Sequence, residues 1–256
     1  MLDLPPLHQV ADATRTLLVD IPDDRDHIFD VSSTPTPLPD SVDLSALMPP
    51  VLQQSHLESC TAHALSSAIQ FERRKQNLVA DFTPSRLFIW YNERYNAEKE
   101  NLNVGASLRD GVKSLVSLGV CSEELLPYDL DKYQDRPSDQ CFSEAQKYRI
   151  ASYKRLPGFI EMKACLASGY PFAFGMFLFE PISAPQGSEI RPIVSSTGEY
   201  PNPQSHAMLA VGYDDASSRF LIRNSWGAEW GKNGYFTIPY WLFRSPIVFD
   251  AWTIRG

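Results

Sequence analysis

A cysteine at the start of an amphipathic segment is the first residue in this chain that could do chemistry. Cys60 follows Ser59 and opens an apolar-patterned run, and Gln54 stands six positions before it. The partial positive charge and the unpaired backbone N–H groups of a helix N-terminus both favour a thiolate. Cys60 could therefore act as a nucleophile, provided that a base and a group to orient that base occur elsewhere.

Two later positions carry residue types that could complete such a site. His206 opens an apolar run that ends at Tyr213, and Asn224 closes another predicted strand. An imidazole is a suitable proton acceptor for a thiol, and an amide oxygen can hold that imidazole in one tautomer. Trp226 and Trp230 follow Asn224, and Trp230 is predicted to be a core aromatic beside the glycine-rich turn.

The order of these motifs resembles the papain-like cysteine peptidases. That family has a glutamine six residues before the cysteine, Ser-Cys at a helix start, His-Ala leading a strand, and Asn-Ser-Trp-Gly with trailing Trp-Gly and Gly-Tyr pairs. All of these occur here in family order, and the resemblance covers about residues 41–256. The Asp-rich leader and the Ser-Cys-Thr-Ala sequence are most similar to the bacterial branch.

The resemblance implies a role for each motif residue. Cys60 would be the nucleophile, paired with His206 as thiolate and imidazolium. Asn224 would accept the ring N–H of His206. Gln54 would donate its amide to the oxyanion, and Trp226 would cover the His206–Asn224 hydrogen bond. The family needs no cofactor, and its substrates are peptides or proteins.

The resemblance also places the pocket for the second substrate residue on the acyl side. We expect small residues at its floor and wall and hence a preference for bulky aliphatic or aromatic side chains. The predicted edge of this pocket comprises Gly105, Ala106, Ser107 and Leu108, and its floor and wall comprise Gly175 and Ala207.

Three residues depart from the family pattern near the expected site. Thr61 follows the cysteine where an aromatic residue is common, and Leu57 stands where a disulfide cysteine is frequent. Ser205 precedes the histidine where papain itself has an acidic residue. The local shape of the groove and the pH dependence are therefore expected to differ from those of papain.

The elements that must position these residues divide the chain into two halves. Helices are predicted from Cys60 to Lys75, from Ser85 onward, from Ser107 to Gly119, and over 162–166. Strands are predicted over 172–178, 206–213, 219–223, 235–238 and 248–254. This order indicates an α+β fold with a helical left lobe, a right lobe built on an antiparallel β-sheet or barrel, and the active-site cleft between them.

Domain boundaries follow composition. Residues 1–40 form a proline-rich leader, and residues 41–256 form the peptidase domain, with a helical lobe at about 53–150 and a β lobe at about 151–256. A proline-rich extended strand can imitate a substrate, so the leader is expected to lie across the groove. The alternative is that it packs on the back of the lobes. The long loop from Glu180 to Ser205 is a further functional candidate.

Composition narrows the partners. The net charge is −8 and no basic run occurs, which argues against a nucleic-acid groove. No stretch reaches the roughly 20 apolar residues of a membrane span. A monomer is expected. No signal-peptide pattern is visible, so the sequence does not decide between the cytosol and secretion.

With four cysteines, buried thiols are favoured over a Cys121–Cys141 bridge. A metal site of His56, His63 and Cys60 lacks a further ligand.

Two other functions use the same residues. The Cys60–His206 pair could transfer an acyl group to an acceptor other than water. The fold could also serve as a catalytically silent peptide-binding protein, although the presence of Gln54, Cys60, His206 and Asn224 together favours an active enzyme.

Overall fold

The computed structural model describes residues 17–77, 82–178 and 204–256. Most of the predicted functional loop between Glu180 and Ser205, and the first part of the leader, lie outside these residues. The described helices are α1 (Cys60–Lys75), α2 (Arg86–Asn96), α3 (Leu108–Ser117), α4 (Asp139–Ala145), α5 (Phe159–Ala167) and α6 (Tyr240–Phe243). The described strands are β1 (Ser41–Asp43), β2 (Ser152–Arg155), β3 (Phe172–Leu178), β4 (Gln204–Asp214), β5 (Arg219–Arg223), β6 (Tyr235–Pro239) and β7 (Val248–Arg255).

The helices begin where the local sequence favours a helix start. The Ser85 hydroxyl accepts a hydrogen bond from the Phe88 N–H at the start of α2, and Ser107 does the same for Asp110 at the start of α3. Each serine satisfies one backbone donor that the helix itself leaves unpaired. The predicted helices at α1, α2, α3 and α5 are confirmed.

The strands form one antiparallel sheet. Its order is β2-β7-β3-β4-β5-β6, and β1 pairs with the end of β4. Within the described ranges the sheet stays open, with β2 and β6 at its edges, so the barrel expected as one form of the right lobe does not close. All five predicted strands are confirmed, two of them, β3 and β5, with the same bounds.

Four described elements were not predicted, for physical reasons. β1 has three residues, and β2 is the polar sequence Ser-Tyr-Lys-Arg with every residue half-buried, so neither shows alternation. α4 and α6 have seven and four residues, too few for the repeat of apolar residues along a helix to be recognised. Within residues 17–40 the leader, expected to be extended, forms a 3₁₀ turn at Val31–Ser33, and β1 begins directly after residue 40.

The core lies where α1 packs against the sheet at β4 and β3. α1 is buried along most of its length, from Cys60 to Glu72. No disulfide joins the four cysteines, which are all buried. Among the described helices, none is both long and apolar enough to cross a membrane.

Gly119 gives a test of the α3 terminus, which the sequence predicted. Its φ is +79°, and a Cβ there would lie 2.0 Å from the Ala145 carbonyl oxygen. Gly169, after α5, has a φ of +81° but meets only the flexible Lys75 side chain. We expect Gly169→Ala to lower the free energy of unfolding by about 1–2 kcal/mol, and Gly119→Ala by about 3 kcal/mol or more because backbone must move. Urea unfolding measures both, and equal losses would contradict the close contact.

Candidate active site

Cys60 is the first residue of α1 and lies against the start of β4. Its side chain is fully buried, and the Ala207 N–H donates to Cys60 Sγ at 3.4 Å. Ala207 directly follows His206, so α1 and β4 bring the candidate nucleophile and the candidate base together although they are far apart in sequence.

His206 is held by Asn224, the residue after β5. His206 Nε2 lies 2.8 Å from Asn224 Oδ1. Because an amide oxygen can only accept, Nε2 must carry the hydrogen, which leaves Nδ1 to take up a proton. The Trp226 ring stacks on the imidazole, with centroids 5.0 Å apart and an interplanar angle of 24°. Trp230 meets Trp226 edge to face and is half-buried.

The Gln54 side chain is fixed at both ends of its amide. Gln54 Nε2 donates to the Leu57 carbonyl at 3.0 Å, and Gln54 Oε1 accepts from Ser225 Oγ at 2.5 Å. The backbone is fixed too, because the Gln54 N–H donates to the Ser225 carbonyl at 2.8 Å. The segment before α1 is thus tied to the residue after Asn224.

A polar cluster beneath the start of α1 was not predicted. Tyr128 Oη donates to the Gln54 carbonyl at 2.9 Å and lies 2.6 Å from Ser59 Oγ. His63, expected to lie on a helix face, is buried: its Nδ1 lies 2.9 Å from the Ser59 carbonyl, and Arg86 donates to its Nε2 at 2.9 Å. No spacing rule links these residues, since they come from α1, α2 and a distant loop.

Arg223 joins the end of β5 to α1 and to the segment that precedes Gln54. Its guanidinium donates to the carbonyls of Pro49 and Pro50 at 2.7 and 2.6 Å and to Ser67 Oγ at 3.2 Å. Because Arg223 precedes Asn224, this clamp fixes the end of β5 relative to α1 and to the chain that leads to Gln54.

Burial affects the protonation of both Cys60 and His206. Burial raises the pKa of the Cys60 thiol to about 12, although the Ala207 N–H lowers it in part. Burial also lowers the pKa of His206 to about 4, opposed by the hydrogen bond to Asn224. Burial thus favours the neutral thiol and the neutral imidazole, because it excludes water from both groups. The thiolate–imidazolium pair that the resemblance implies stays a prediction.

Two of the predicted pocket residues, Gly175 and Ala106, lie against a leader residue, Leu17. Gly175 and Ala207 are register partners on β3 and β4. A Cβ on Gly175 would lie 2.5 Å from Leu17 Cδ2. Leu17 forms a parallel bridge with Ala106, and Ser205 Oγ bonds both its N–H and its carbonyl, at 3.2 and 2.7 Å.

The rest of the predicted edge lies beside this bridge. Gly105 is buried, Ser107 caps α3, and Leu108 is the fully buried first residue of that helix. Ser107 and Leu108 thus also have roles in holding α3. Within the described ranges no group of three or more His, Cys, Asp or Glu side chains could hold a metal ion, and His56 is exposed.

Comparison with known proteins assigns the arrangement to a family. The sequence model described as "Papain family cysteine protease" matches residues 38–241. The chain belongs to the papain family of cysteine proteases. It is thus a papain-like cysteine peptidase, and the family's fold agrees with the helices and open antiparallel sheet described above.

Individual relatives agree with this assignment. Xylellain, a cysteine protease from Xylella fastidiosa, superposes with a TM-score of 0.83 at 36% identity, over 96% of this chain and 98% of that chain. An uncharacterized peptidase C1-like protein of Acanthamoeba polyphaga mimivirus is 34% identical over 221 residues, 80% of this chain and 69% of the viral protein. Chymopapain from Carica papaya is 24% identical over 213 residues, which is 55% of its own length. The likeness to xylellain supports the bacterial-type branch.

The buried histidines predict acid sensitivity. Burial lowers the pKa of His63 to about 3 and that of His206 to about 4. An unfolded chain takes up these protons near pH 6.5, so the folded state loses stability as the pH falls from about 6.5 towards 4, by up to about 1.4 kcal/mol per pH unit for each imidazole. Urea unfolding across this range should show that the free energy of unfolding changes less steeply with pH in His63→Gln than in wild type. The exposed His56→Gln is the control, and an unchanged slope in His63→Gln would refute the prediction.

Proposed function

We propose that this papain-family enzyme hydrolyses peptide bonds with Cys60 as nucleophile and His206 as base and acid. The observation that carries the proposal is the hydrogen bond from His206 Nε2 to Asn224 Oδ1, with Cys60 Sγ against the adjoining backbone of Ala207. This bond leaves His206 Nδ1 as the atom that can accept the thiol proton.

The chemistry follows in two halves. Cys60 Sγ attacks the substrate carbonyl carbon while its proton passes to His206, which then protonates the leaving amine. Water, deprotonated by His206, releases the acid product and restores the thiol. The Gln54 amide would stabilise the oxyanion beside the Cys60 N–H, and loss of one such donor typically costs about 10²–10³ in rate. The Gln54 contacts to Leu57 and Ser225 support this role, because they hold the amide in place before substrate arrives.

Covalent labelling tests the assignment. An epoxysuccinyl thiol-protease inhibitor should add one equivalent to the wild-type chain and none to Cys60→Ala, because the other thiols have no histidine or asparagine partner among the described residues. Mass spectrometry measures the label, and the buried Cys165→Ala is the matched control, which should label like wild type. Label retained on Cys60→Ala would exclude Cys60 as the nucleophile. Product analysis with an added amine separates hydrolysis from acyl transfer, and absence of turnover by the labelled site would favour a binding protein.

We also propose that residues 1–40 form a leader that covers the cleft of a peptidase domain spanning residues 41–256, with lobes at about 53–150 and 151–256. The support is Leu17, which is fully buried against Gly175, Ala106 and Ser205. A substrate whose second acyl-side residue is bulky and aliphatic would need the same space. The preference for such residues, expected from the small Gly175 and Ala207, fits this contact.

Charged contacts anchor the leader beyond Leu17. The buried Asp20 accepts a hydrogen bond from Trp252 Nε1 at 2.7 Å, and its N–H donates to Asp250 at 2.6 Å. Asp26 forms ion pairs with Arg109 at 2.6 Å and Arg155 at 3.0 Å. The leader therefore contacts both the α3 side and the sheet, and these contacts would hold Leu17 in the pocket.

Replacing Leu17 tests the covering role. Burial of a leucine side chain stabilises by about 1.5–3 kcal/mol, so Leu17→Gly should raise turnover of a small fluorogenic peptide with leucine at the second acyl-side position by about ten- to a hundredfold. The control is Ile21→Gly, a nearby leader residue whose side chain is 81% exposed. Steady-state kinetics on the full chain measures both. If Leu17→Gly matches Ile21→Gly, Leu17 does not limit access.

A further inference from the structure

Glu93 is a fully buried acid that the proposed chemistry does not use. It lies where three helices meet: Glu93 Oε2, on α2, accepts a hydrogen bond from Thr61 Oγ1 of α1 at 2.6 Å. From α3, a Cβ on Gly111 would lie 2.5 Å from Glu93 Oε1, so only glycine leaves room for the carboxyl. Glu93 Oε1 itself has no hydrogen-bond partner in the part of the chain that the structure describes.

The charges around Glu93 do not neutralise it. Arg94 is adjacent in sequence, but its guanidinium donates to backbone carbonyls, those of Trp90, Glu100, Leu102 and Tyr133. The charged group that faces Glu93 from α3 is Asp110, which has the same sign. Burial, with a smaller contribution from Asp110, raises the pKa of Glu93 to about 8, while Thr61 and Arg94 oppose the shift.

An acid in this position lowers stability. The folded protein keeps the Glu93 proton up to about pH 8, whereas an unfolded chain releases it near pH 4.5. Between these values the unfolded state is favoured increasingly as the pH rises. An apolar side chain of similar size would avoid this loss. The contact that such a side chain could not make is the hydrogen bond to Thr61, the residue directly after Cys60.

The start of α1 is tied to α2 through the Thr61 side chain rather than through its N-cap residue. Ser59 stands at the N-cap position, but its side chain makes no capping hydrogen bond and instead lies against Tyr128. The Ser59 side chain therefore does not compete with a thiolate for the backbone N–H groups at this end. The bond from Thr61 to Glu93 ties the first turn to α2 without occupying them.

We propose that Glu93 is a positioning residue for Cys60, acting as an uncharged acid that fixes the first turn of α1 through Thr61. This inference rests on the proposed role of Cys60 as nucleophile. It also explains Thr61, which stands where relatives commonly have an aromatic residue: a hydroxyl is required to reach Glu93. An ionised Glu93 would oppose the thiolate, because its charge raises the pKa of the Cys60 thiol.

The test is the pH dependence of Cys60 alkylation by iodoacetamide on the full chain, followed by mass spectrometry of the peptide that contains Cys60. Glu93→Gln keeps an uncharged acceptor for Thr61, so its alkylation near pH 7 should match wild type. At pH 9 it should react about three- to tenfold faster, because the charge beside the thiol is absent. Thr61→Val should lower kcat about tenfold with KM unchanged, and Thr61→Ser should restore it.

Ser66→Ala is the matched control for loss of a buried hydroxyl. Ser66 lies on the same helix, is 1% exposed, and donates one hydrogen bond to the Pro84 carbonyl at 3.0 Å. It should lose stability but keep the wild-type alkylation profile and kcat. A wild-type profile in Glu93→Gln, or equal changes in Thr61→Val and Ser66→Ala, would overturn the proposal. If Glu93→Gln does not fold, the kcat values of Thr61→Val and Thr61→Ser still test the proposal. If the chain has no peptidase activity, the alkylation profile still reports on Glu93, so the two failures are distinguishable.

Discussion

The contact between the first turn of α1 and the start of β4 is the interaction on which the rest of the site depends. It brings Cys60 to the backbone that carries His206, and the pairing of β4 with β3 sets Ala207 opposite Gly175. A slip of one residue in that pairing would turn His206 away from the cleft and exchange every neighbour of the pocket. The candidate nucleophile, the candidate base and the predicted pocket wall therefore depend on one strand register, and none of them can shift independently.

Buried polar groups maintain that register because each needs its partner. Arg223, Arg86 and Tyr128 all donate to carbonyls or side chains of the segments that flank Cys60. Removing any of them would leave an unpaired polar group in a buried site, which costs more than the bond itself contributes. The segment from Pro49 to Ser59 forms no helix or strand, and these long-range bonds hold it against its neighbours. The same logic applies to Thr61 and Glu93 on the opposite side of α1.

The local sequence pattern was sufficient to predict the main helices and strands, but it was insufficient to predict the contacts between them. The bounds of α1, β3 and β5 could be predicted because apolar spacing and turn residues act within a few positions. The motif residues could be found because the family order is unusual. Tyr128, Glu93 and Leu17 could not, since each acts through a partner more than 30 positions away and has no spacing of its own. The charge state of Cys60 was also beyond reach, because a helix start favours the thiolate but burial depends on the whole fold.

The burial of a neutral Cys60 thiol also affects how easily this residue is oxidised. Oxidants attack the thiolate, and a thiol with a pKa near 12 offers almost none of it at neutral pH. The buried Cys60 is thus protected from the oxidation series that leads through sulfenic to irreversible sulfonic acid. The leader cover proposed above would limit access by peroxide as well as by substrates, so a covered chain would keep its candidate nucleophile reduced until it acts.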